Sequence, residues 1–249
     1  SIQRRRSSVP VPLGCKKYGV PFLSKDAAGK IHSLQMNNFD FANDGWKSYE
    51  ELAIKYPKCT SVLRWWCNTK PDYNINHMAF LKEFMIENPP TFLISPRCCE
   101  GAKKNPSKLY EKEAGIDLKC LGLRKAEGGV RSTVIKSCFS DNTSGDAASK
   151  KAYDDFYPIY WFTNQDREEY EEQYGVEHSR CYTQYGFLRT GCAGCSFNAR
   201  FEIDLLQIEK YEPKLYKAIN NIFKEAYAYT RQYRAYRDEK KSQKQRQKQ

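Results

Sequence analysis

Apolar side chains recur at helical spacing in two stretches of the amino-terminal half. Trp46–Tyr56 and Ile75–Glu87 are amphipathic, and the second carries Phe80, Leu81 and Phe84 on one helical face. Such a repeat is typical of a helix that turns one side toward a protein core. We therefore expect these aromatic rings to pack in the core rather than around a cofactor.

Further helices are predicted from the residues at their ends. A short helix begins at Lys25, and another covers Asn164–Tyr174 with Gly175 just past its end, where glycine accepts a left-handed backbone. The last third, Phe201–Tyr236, is strongly helical, with a break at Pro213. The carboxy-terminal third is thus expected to be largely helical.

Between these helices the pattern predicts at least one buried strand. Ile116–Leu123 is mostly apolar, Arg97–Lys104 reads as a short helix, and Asn105 and Pro106 are typical of the start of the next. Ser140–Lys151 is rich in small polar residues and predicts a loop. Strands that alternate with helices indicate an α/β fold.

Charge is concentrated at the two ends of this 249-residue chain, whose net charge is +11. The sequence predicts a basic amino-terminal segment over residues 1–17, a folded domain over 18–233 and a basic tail over 234–249. The tail is expected either to bind nucleic acid through phosphate contacts or to be a solvated helix end. No apolar run is long enough to cross a bilayer and no signal peptide opens the sequence, so no membrane partner and a cytoplasmic location are expected.

Two cysteine pairs stand far apart in the sequence. Cys98 and Cys99 are adjacent, and Cys192 and Cys195 form a Cys-x-x-Cys motif. Four thiolates from two segments can hold one metal centre. Zinc would draw all four sulfurs to about 2.3 Å, which is difficult for neighbouring residues, whereas a [4Fe–4S] cluster takes one thiolate at each iron. We favour the cluster and keep zinc as the alternative.

The other six cysteines are scattered and are interpreted as small buried apolar residues: Cys15, Cys59, Cys67, Cys120, Cys138 and Cys181.

A cationic loop follows the predicted strand. It runs from Gly122 to Arg131 and contains Arg124, Lys125 and two adjacent glycines. Arginine forks bind phosphate or sulfate oxygens in pairs, but an exposed turn in which the arginines pair with Glu127 explains the same residues. Both interpretations stay open on this segment alone.

A further cation, Arg189, lies three residues before Cys192 of the Cys-x-x-Cys motif. It is expected to lie close to any cluster there and to orient an anionic substrate beside it. His178, nearby in the sequence, is interpreted as a surface residue.

These motifs, in their order, resemble the phosphoadenosine phosphosulfate reductase family, from about Tyr18 to Tyr233. The resemblance is carried by Gly-Val-Pro-Phe-Leu-Ser-Lys (19–25), Ser-Pro-Arg-Cys-Cys (95–99), Gly-Leu-Arg-Lys-Ala-Glu (122–127) with Arg131, Pro-Ile-Tyr-Trp (158–161) and Tyr-Gly-Phe-Leu-Arg-Thr-Gly-Cys-Ala-Gly-Cys (185–195).

The resemblance implies a Rossmann-like sheet flanked by helices, of the adenine nucleotide α-hydrolase-like superfamily. It implies a [4Fe–4S] cluster on the four cysteines of the two pairs, an adenine nucleotide or phosphosulfate-like ligand, and a ligand site that includes Lys125, Glu127 and Arg189. Arg124 and Arg131 would contact the phosphosulfate, and Lys25 would line the nucleotide side.

Two departures from the family pattern change the expected activity. The family's Ser-Gly-Gly-x-Asp-Ser type phosphate loop is absent, so it was removed or a partner chain supplies it, and no cysteine follows Cys195 to act as the nucleophile on sulfur. The leading hypothesis is therefore ATP-dependent adenylation or sulfur transfer, on nucleic acid if the basic tail binds it. The alternatives are a non-catalytic, metal-bearing DNA- or partner-binding module and a phosphosulfate reductase.

Overall fold

A computed structural model describes residue 15 and the ranges 18–72, 74–128, 130–142, 153–188, 191–198 and 200–247, with the side chains of residues 102, 103, 130 and 131 outside the description. The chain divides into two compact units, one formed by Ser1–Lys104 with Tyr185–Gln249 and the other by Asn105–Gln184. Each unit is described by itself.

The first unit is helical. Its α-helices are α1 Lys25–Met36, α2 Phe41–Asp44, α3 Tyr49–Lys55, α4 Thr60–Trp66, α5 Leu81–Glu87, α6 Arg97–Cys99, and two long carboxy-terminal helices, Phe201–Tyr211 and Pro213–Arg246. Short 3₁₀ turns cover Pro57–Cys59 and Ile75–His77, and a π-helical turn covers Glu100–Lys104.

Most helices predicted for this unit are present. The helix at Lys25 is capped by Ser24, whose hydroxyl accepts the Ala27 amide at 3.2 Å. The break at Pro213 separates the two carboxy-terminal helices, and the second of these continues to Arg246. The two amphipathic stretches form the helices α3 and α5. Both helices are shorter than the stretches that predicted them, because capping and turn residues interrupt the helical backbone.

Aromatic rings form the core of the first unit, as predicted for Phe84, whereas Phe80 lies just before α5 with φ +60° and is only half-buried. Phe84 is fully buried, and its ring centroid lies 4.9 Å from that of Tyr229 and 5.4 Å from that of Tyr233. Phe22 contacts the same Tyr229 ring at 5.0 Å. The long carboxy-terminal helix is therefore fixed against α5 and the segment before α1 by rings that bury large apolar areas.

A short backbone pairing joins two distant segments of this unit. The Val20 amide donates to Leu93 O at 2.9 Å, and the Ser95 amide donates to Val20 O at 2.9 Å. Gly19 has φ +96°, and a Cβ there would stand 2.5 Å from Leu93 O. Only glycine permits this approach.

The second unit carries the sheet. Its helices are α7 Asn105–Glu113, α8 Val130–Val134, α9 Asn164–Tyr174 and α10 Arg180–Thr183, with a 3₁₀ turn at Lys125–Glu127, and its strands are β1 Leu118–Cys120, β2 Phe139–Ser140 and β3 Asp154–Phe156. The carboxy-terminal helices of the first unit are accordingly α11 (Phe201–Tyr211) and α12 (Pro213–Arg246).

The sheet has the order β1-β3-β2, in which β1 pairs with β3 in parallel and β2 with β3 antiparallel. The mixed α/β class is thereby confirmed. The strand predicted over Ile116–Leu123 is shorter, because pairing with β3 covers only Leu118–Cys120. It is also not buried as predicted, since Leu118 and Cys120 are both exposed. Helix α9 has the predicted bounds, with a Thr163–Asp166 capping box and Gly175 at φ +57°.

Two other expectations concern the loop and the membrane. Within the predicted loop Ser140–Lys151, residues 143–151 lie outside the described residues, as does residue 152. Among the residues that the structure describes, no helix combines the length and the apolar character needed to cross a bilayer.

Candidate metal centre

The Cys98–Cys99 doublet is positioned by the backbone pairing described above. Residues 93–95 pair with Val20 and lead into α6, where the Ser95 hydroxyl accepts the Arg97 amide at 3.1 Å. The Cys99 amide donates to Pro96 O at 3.2 Å. Cys98 is buried and Cys99 is half-buried. The two adjacent thiols therefore meet different surroundings, as expected for neighbours on a helical turn.

The Cys-x-x-Cys segment is a tight turn held against α12. The Cys195 amide donates to Cys192 O at 3.2 Å, and Gly194 has φ +67°. The Tyr227 hydroxyl donates to Gly194 O. A Cβ on Gly194 would stand 2.6 Å from the Tyr227 hydroxyl and 2.8 Å from Ile219 Cδ1. The turn thus needs glycine both for its backbone and for its contact with the helix.

One short segment ties the two cysteine regions together. The Ser196 hydroxyl, next to Cys195, donates to Pro21 O at 2.6 Å. Pro21 follows Val20, whose backbone pairs with the strand leading to Cys98. The segment from Gly19 to Ser24 therefore connects the two cysteine regions, through backbone hydrogen bonds of Val20 on one side and the hydrogen bond from the Ser196 hydroxyl on the other. The sequence assigned only Lys25, at the end of this motif, to a nucleotide contact. The role of the residues before it was missed, because the pairing joins residues far apart in the chain.

The charges of the other three predicted ligands affect the pKa of Cys195. The pKa of Cys195 is raised to about 11, chiefly by burial and further by the charges of Cys192, Cys98 and Cys99. The two pairs lie in the same unit, and the charges of Cys98 and Cys99 act on Cys195. Burial without a cation disfavours the thiolates, and a metal ion would reverse that preference.

Cys15 contributes a fifth thiol beside Cys98. It is buried and packs in one apolar cluster with Cys98. The hydrogen bond between the two thiols holds the pKa of Cys15 below its ordinary value and raises that of Cys98, and the charges of Cys195, Cys192 and Cys99 also act on Cys15. The sequence correctly predicted that Cys15 is buried but did not predict its contact with Cys98. No spacing signal links Cys15 to either pair.

The donor set fits an iron–sulfur cluster by its chemistry. Thiolates are the ligands that such clusters take, one at each corner. Within the described part of the chain, no three His, Cys, Asp or Glu side chains are placed as ligands around a single ion position. Cys98, Cys99, Cys192 and Cys195 would hold the cluster, while the choice between cluster and zinc stays a prediction.

The cationic loop lies in the second unit, where Arg124 has local partners. Arg124 is only 9% exposed, and its Nη1 donates to Thr163 O at 2.9 Å and to Asn164 Oδ1 at 3.3 Å. Its Nε stands 4.0 Å from Glu127 Oε1. Lys125 is exposed and lies over the Trp161 ring at 5.1 Å. Arg124 thus fixes the amino-terminal end of α9, and the pairing with Glu127 that the sequence left open is present.

The remaining predicted ligand contacts are only partly described. Lys25 is the exposed first residue of α1. The backbone of Arg131 lies in α8, but its side chain is outside the described residues, as is the whole of Arg189. His178 is exposed and its Nε2 stands 3.2 Å from Glu171 Oε2.

Comparison with models of protein families, with curated proteins and with solved structures found no match. The family resemblance therefore stays a prediction from the motifs.

Proposed function

We propose that this chain is a reductase-like iron–sulfur protein whose [4Fe–4S] cluster is held by Cys98, Cys99, Cys192 and Cys195. The observation that carries the proposal is that both cysteine regions lie in one unit and are hydrogen-bonded to the same Gly19–Ser24 segment, at Val20 and at Pro21. When bound, the cluster would supply a charged inorganic centre that polarises a neighbouring anion or exchanges sulfur or electrons.

The proposed reaction class is adenine-nucleotide-dependent sulfur or nucleotide transfer in a reducing, cytoplasmic setting. The parallel pair β1–β3 is compatible with a Rossmann-like sheet, and all ten cysteines are free thiols. The chain's own residues would bind the anion, exclude water with the buried aromatic cluster around Tyr227, and position the thiolates. A partner chain or a further segment would supply the phosphate loop.

Pyrophosphate exchange tests the reaction class. Together with a chain that carries the phosphate loop, the protein should exchange labelled pyrophosphate into ATP, and Arg124→Ala should abolish the exchange. Lys58→Ala, at an exposed lysine remote from the motifs in sequence, is the matched control. Normal exchange by Arg124→Ala would show that the cationic loop has no role in the reaction.

A metal-bearing nucleic-acid-binding module is the second candidate. The observation in its favour is the basic end of α12, where Lys241, Lys244 and Arg246 are exposed on a continuous helix. Phosphate contacts by these cations would make DNA binding fall steeply with added salt. Salt-dependent DNA binding without nucleotide turnover would favour this module over the transfer enzyme.

A further inference from the structure

A cavity of about 450 Å³ opens beside the Cys-x-x-Cys turn in the first unit. Ser196 and Phe197, the two residues after Cys195, form one wall, and Leu23 with Met78 forms an apolar part of the lining. The Phe197 amide donates to the Cys195 sulfur. The cavity and the proposed metal centre therefore share a stretch of backbone. Its volume is within the range of sites for small organic ligands.

Three cations from α12 line the same cavity. Arg234, Arg237 and Lys241 are spaced three and four residues apart and so lie on one face of the helix. No carboxylate is among the described residues that line it. Arg237 already contacts Asp238, through one carboxylate oxygen at 2.8 Å. A guanidinium has five N–H donors, so this pair leaves donors of Arg237 for a ligand.

The polar and apolar parts of the lining differ in what they can bind. The cationic side is suited to phosphate oxygens, which arginine binds through paired hydrogen bonds. Phe197, Tyr233 and Met78 offer ring and thioether surface on which a flat ring can pack. Ser24, which accepts a hydrogen bond from Ala27, keeps a hydroxyl proton to donate to the same ligand.

We propose that this cavity binds a nucleoside phosphate, with the phosphates on Arg234, Arg237 and Lys241 and the base against Phe197. The inference deepens the proposed function, on which the choice of an adenine nucleotide rests. It places the anionic ligand beside the two residues that follow Cys195, on cations that none of the family motifs contains.

Calorimetric titration of the full chain with ADP tests the assignment at fixed, moderate salt. The wild type should bind ADP, and Arg237→Ala/Lys241→Ala should weaken binding by about tenfold or more, as expected when charge-assisted contacts to phosphate are lost. Lys217→Ala/Lys224→Ala removes the same charge from exposed positions of α12 and should change the affinity by less than about twofold. Adenosine and inorganic phosphate, each lacking one half of the ligand, should both bind more weakly than ADP.

Three results would overturn the proposal: no ADP binding by the wild type, equal losses in the two double variants, or binding of a single-stranded oligonucleotide but not of ADP. Iron and sulfide are measured on the same samples. A wild type that binds ADP but holds no iron refutes the proposed cluster and leaves the cavity assignment standing. A wild type with iron that does not bind ADP refutes the cavity assignment alone.

Discussion

The two units of this protein hold their candidate functional residues in different ways. In the first unit, long-range hydrogen bonds and a buried aromatic core position the cysteines, as Tyr227 on Gly194 and Ser196 on Pro21 show. In the second unit, α9 buries no residue, and Arg124 is held by the adjoining end of that helix. A site built by packing depends on the whole unit, whereas a site held by local contacts depends on few residues.

The largest expected effect is loss of the aromatic core. Phe84→Ala should lower the free energy of unfolding by about 3–5 kcal/mol, because it removes a fully buried ring and leaves a cavity against Tyr229 and Tyr233. Tyr170→Ala in α9, where the side chain is 52% exposed, should cost only about 0.5 kcal/mol. Urea denaturation measures both. Equal costs would contradict the contrast between the units.

The next effect concerns a buried carboxylate in the first unit. Burial opposes ionisation of Asp44, but hydrogen bonds from Lys47, Lys55 and Tyr56 outweigh it and hold its pKa well below the ordinary range. Asp44→Asn should lower the free energy of unfolding by about 3 kcal/mol at neutral pH, since it breaks a buried pair.

The pH dependence of this effect has a defined sign. Because the folded pKa of Asp44 is depressed, its stabilising contribution is present above the unfolded value of about 3.9 and is lost as the pH falls toward the lower folded value. The cost of Asp44→Asn should therefore shrink in acid. Asp26→Asn, which breaks an exposed pair with Lys30, should cost under about 0.5 kcal/mol throughout. A pH-independent cost of Asp44→Asn would refute the assignment.

Substitution of one glycine in each unit compares the two units directly. Gly194→Ala should cost about 2–3 kcal/mol, because the new Cβ strains a positive φ and meets the Tyr227 hydroxyl. Gly128 has φ +69° and ψ −164° but nothing within 4 Å of a new Cβ, so Gly128→Ala should cost only backbone strain, about 1–3 kcal/mol. Gly194→Ala should also lose bound iron, and Gly128→Ala should keep it. Iron retained by Gly194→Ala would show that the turn is not needed at the centre.

Apart from the control variants, the smallest effect on stability is expected at Arg124. Arg124→Ala should cost about 1 kcal/mol, since it removes two hydrogen bonds to Thr163 and Asn164. Faster amide hydrogen exchange should be confined to the first turn of α9. Lys125→Ala, at an exposed side chain, should leave this exchange unchanged. Faster exchange throughout the second unit would show that Arg124 holds more than one helix end.

Local signals in the sequence predicted much of the fold. The end of helix α9 follows from Gly175, and the break at Pro213 follows from the missing amide of proline. The strand near Leu118 was predicted too long, because its ends are set by pairing with β3 rather than by its own residues.

The candidate site was predicted less completely. The two cysteine pairs could be read from their spacing, but Cys15 could not, because only the fold brings it to Cys98. The structural role of the Gly19–Ser24 segment and the cationic face of α12 likewise depend on contacts between residues far apart in the chain. Sequence patterns report local geometry, and these features are products of packing.

Iron and sulfide analysis of anaerobically purified protein tests the central claim most directly. The account predicts a brown protein with about four irons and four sulfides per chain, lost in Cys99→Ser and retained in Cys59→Ser, which alters a buried cysteine outside the two pairs. A colourless protein that binds zinc or no metal, or one whose iron content is the same in Cys99→Ser as in the wild type, would contradict it.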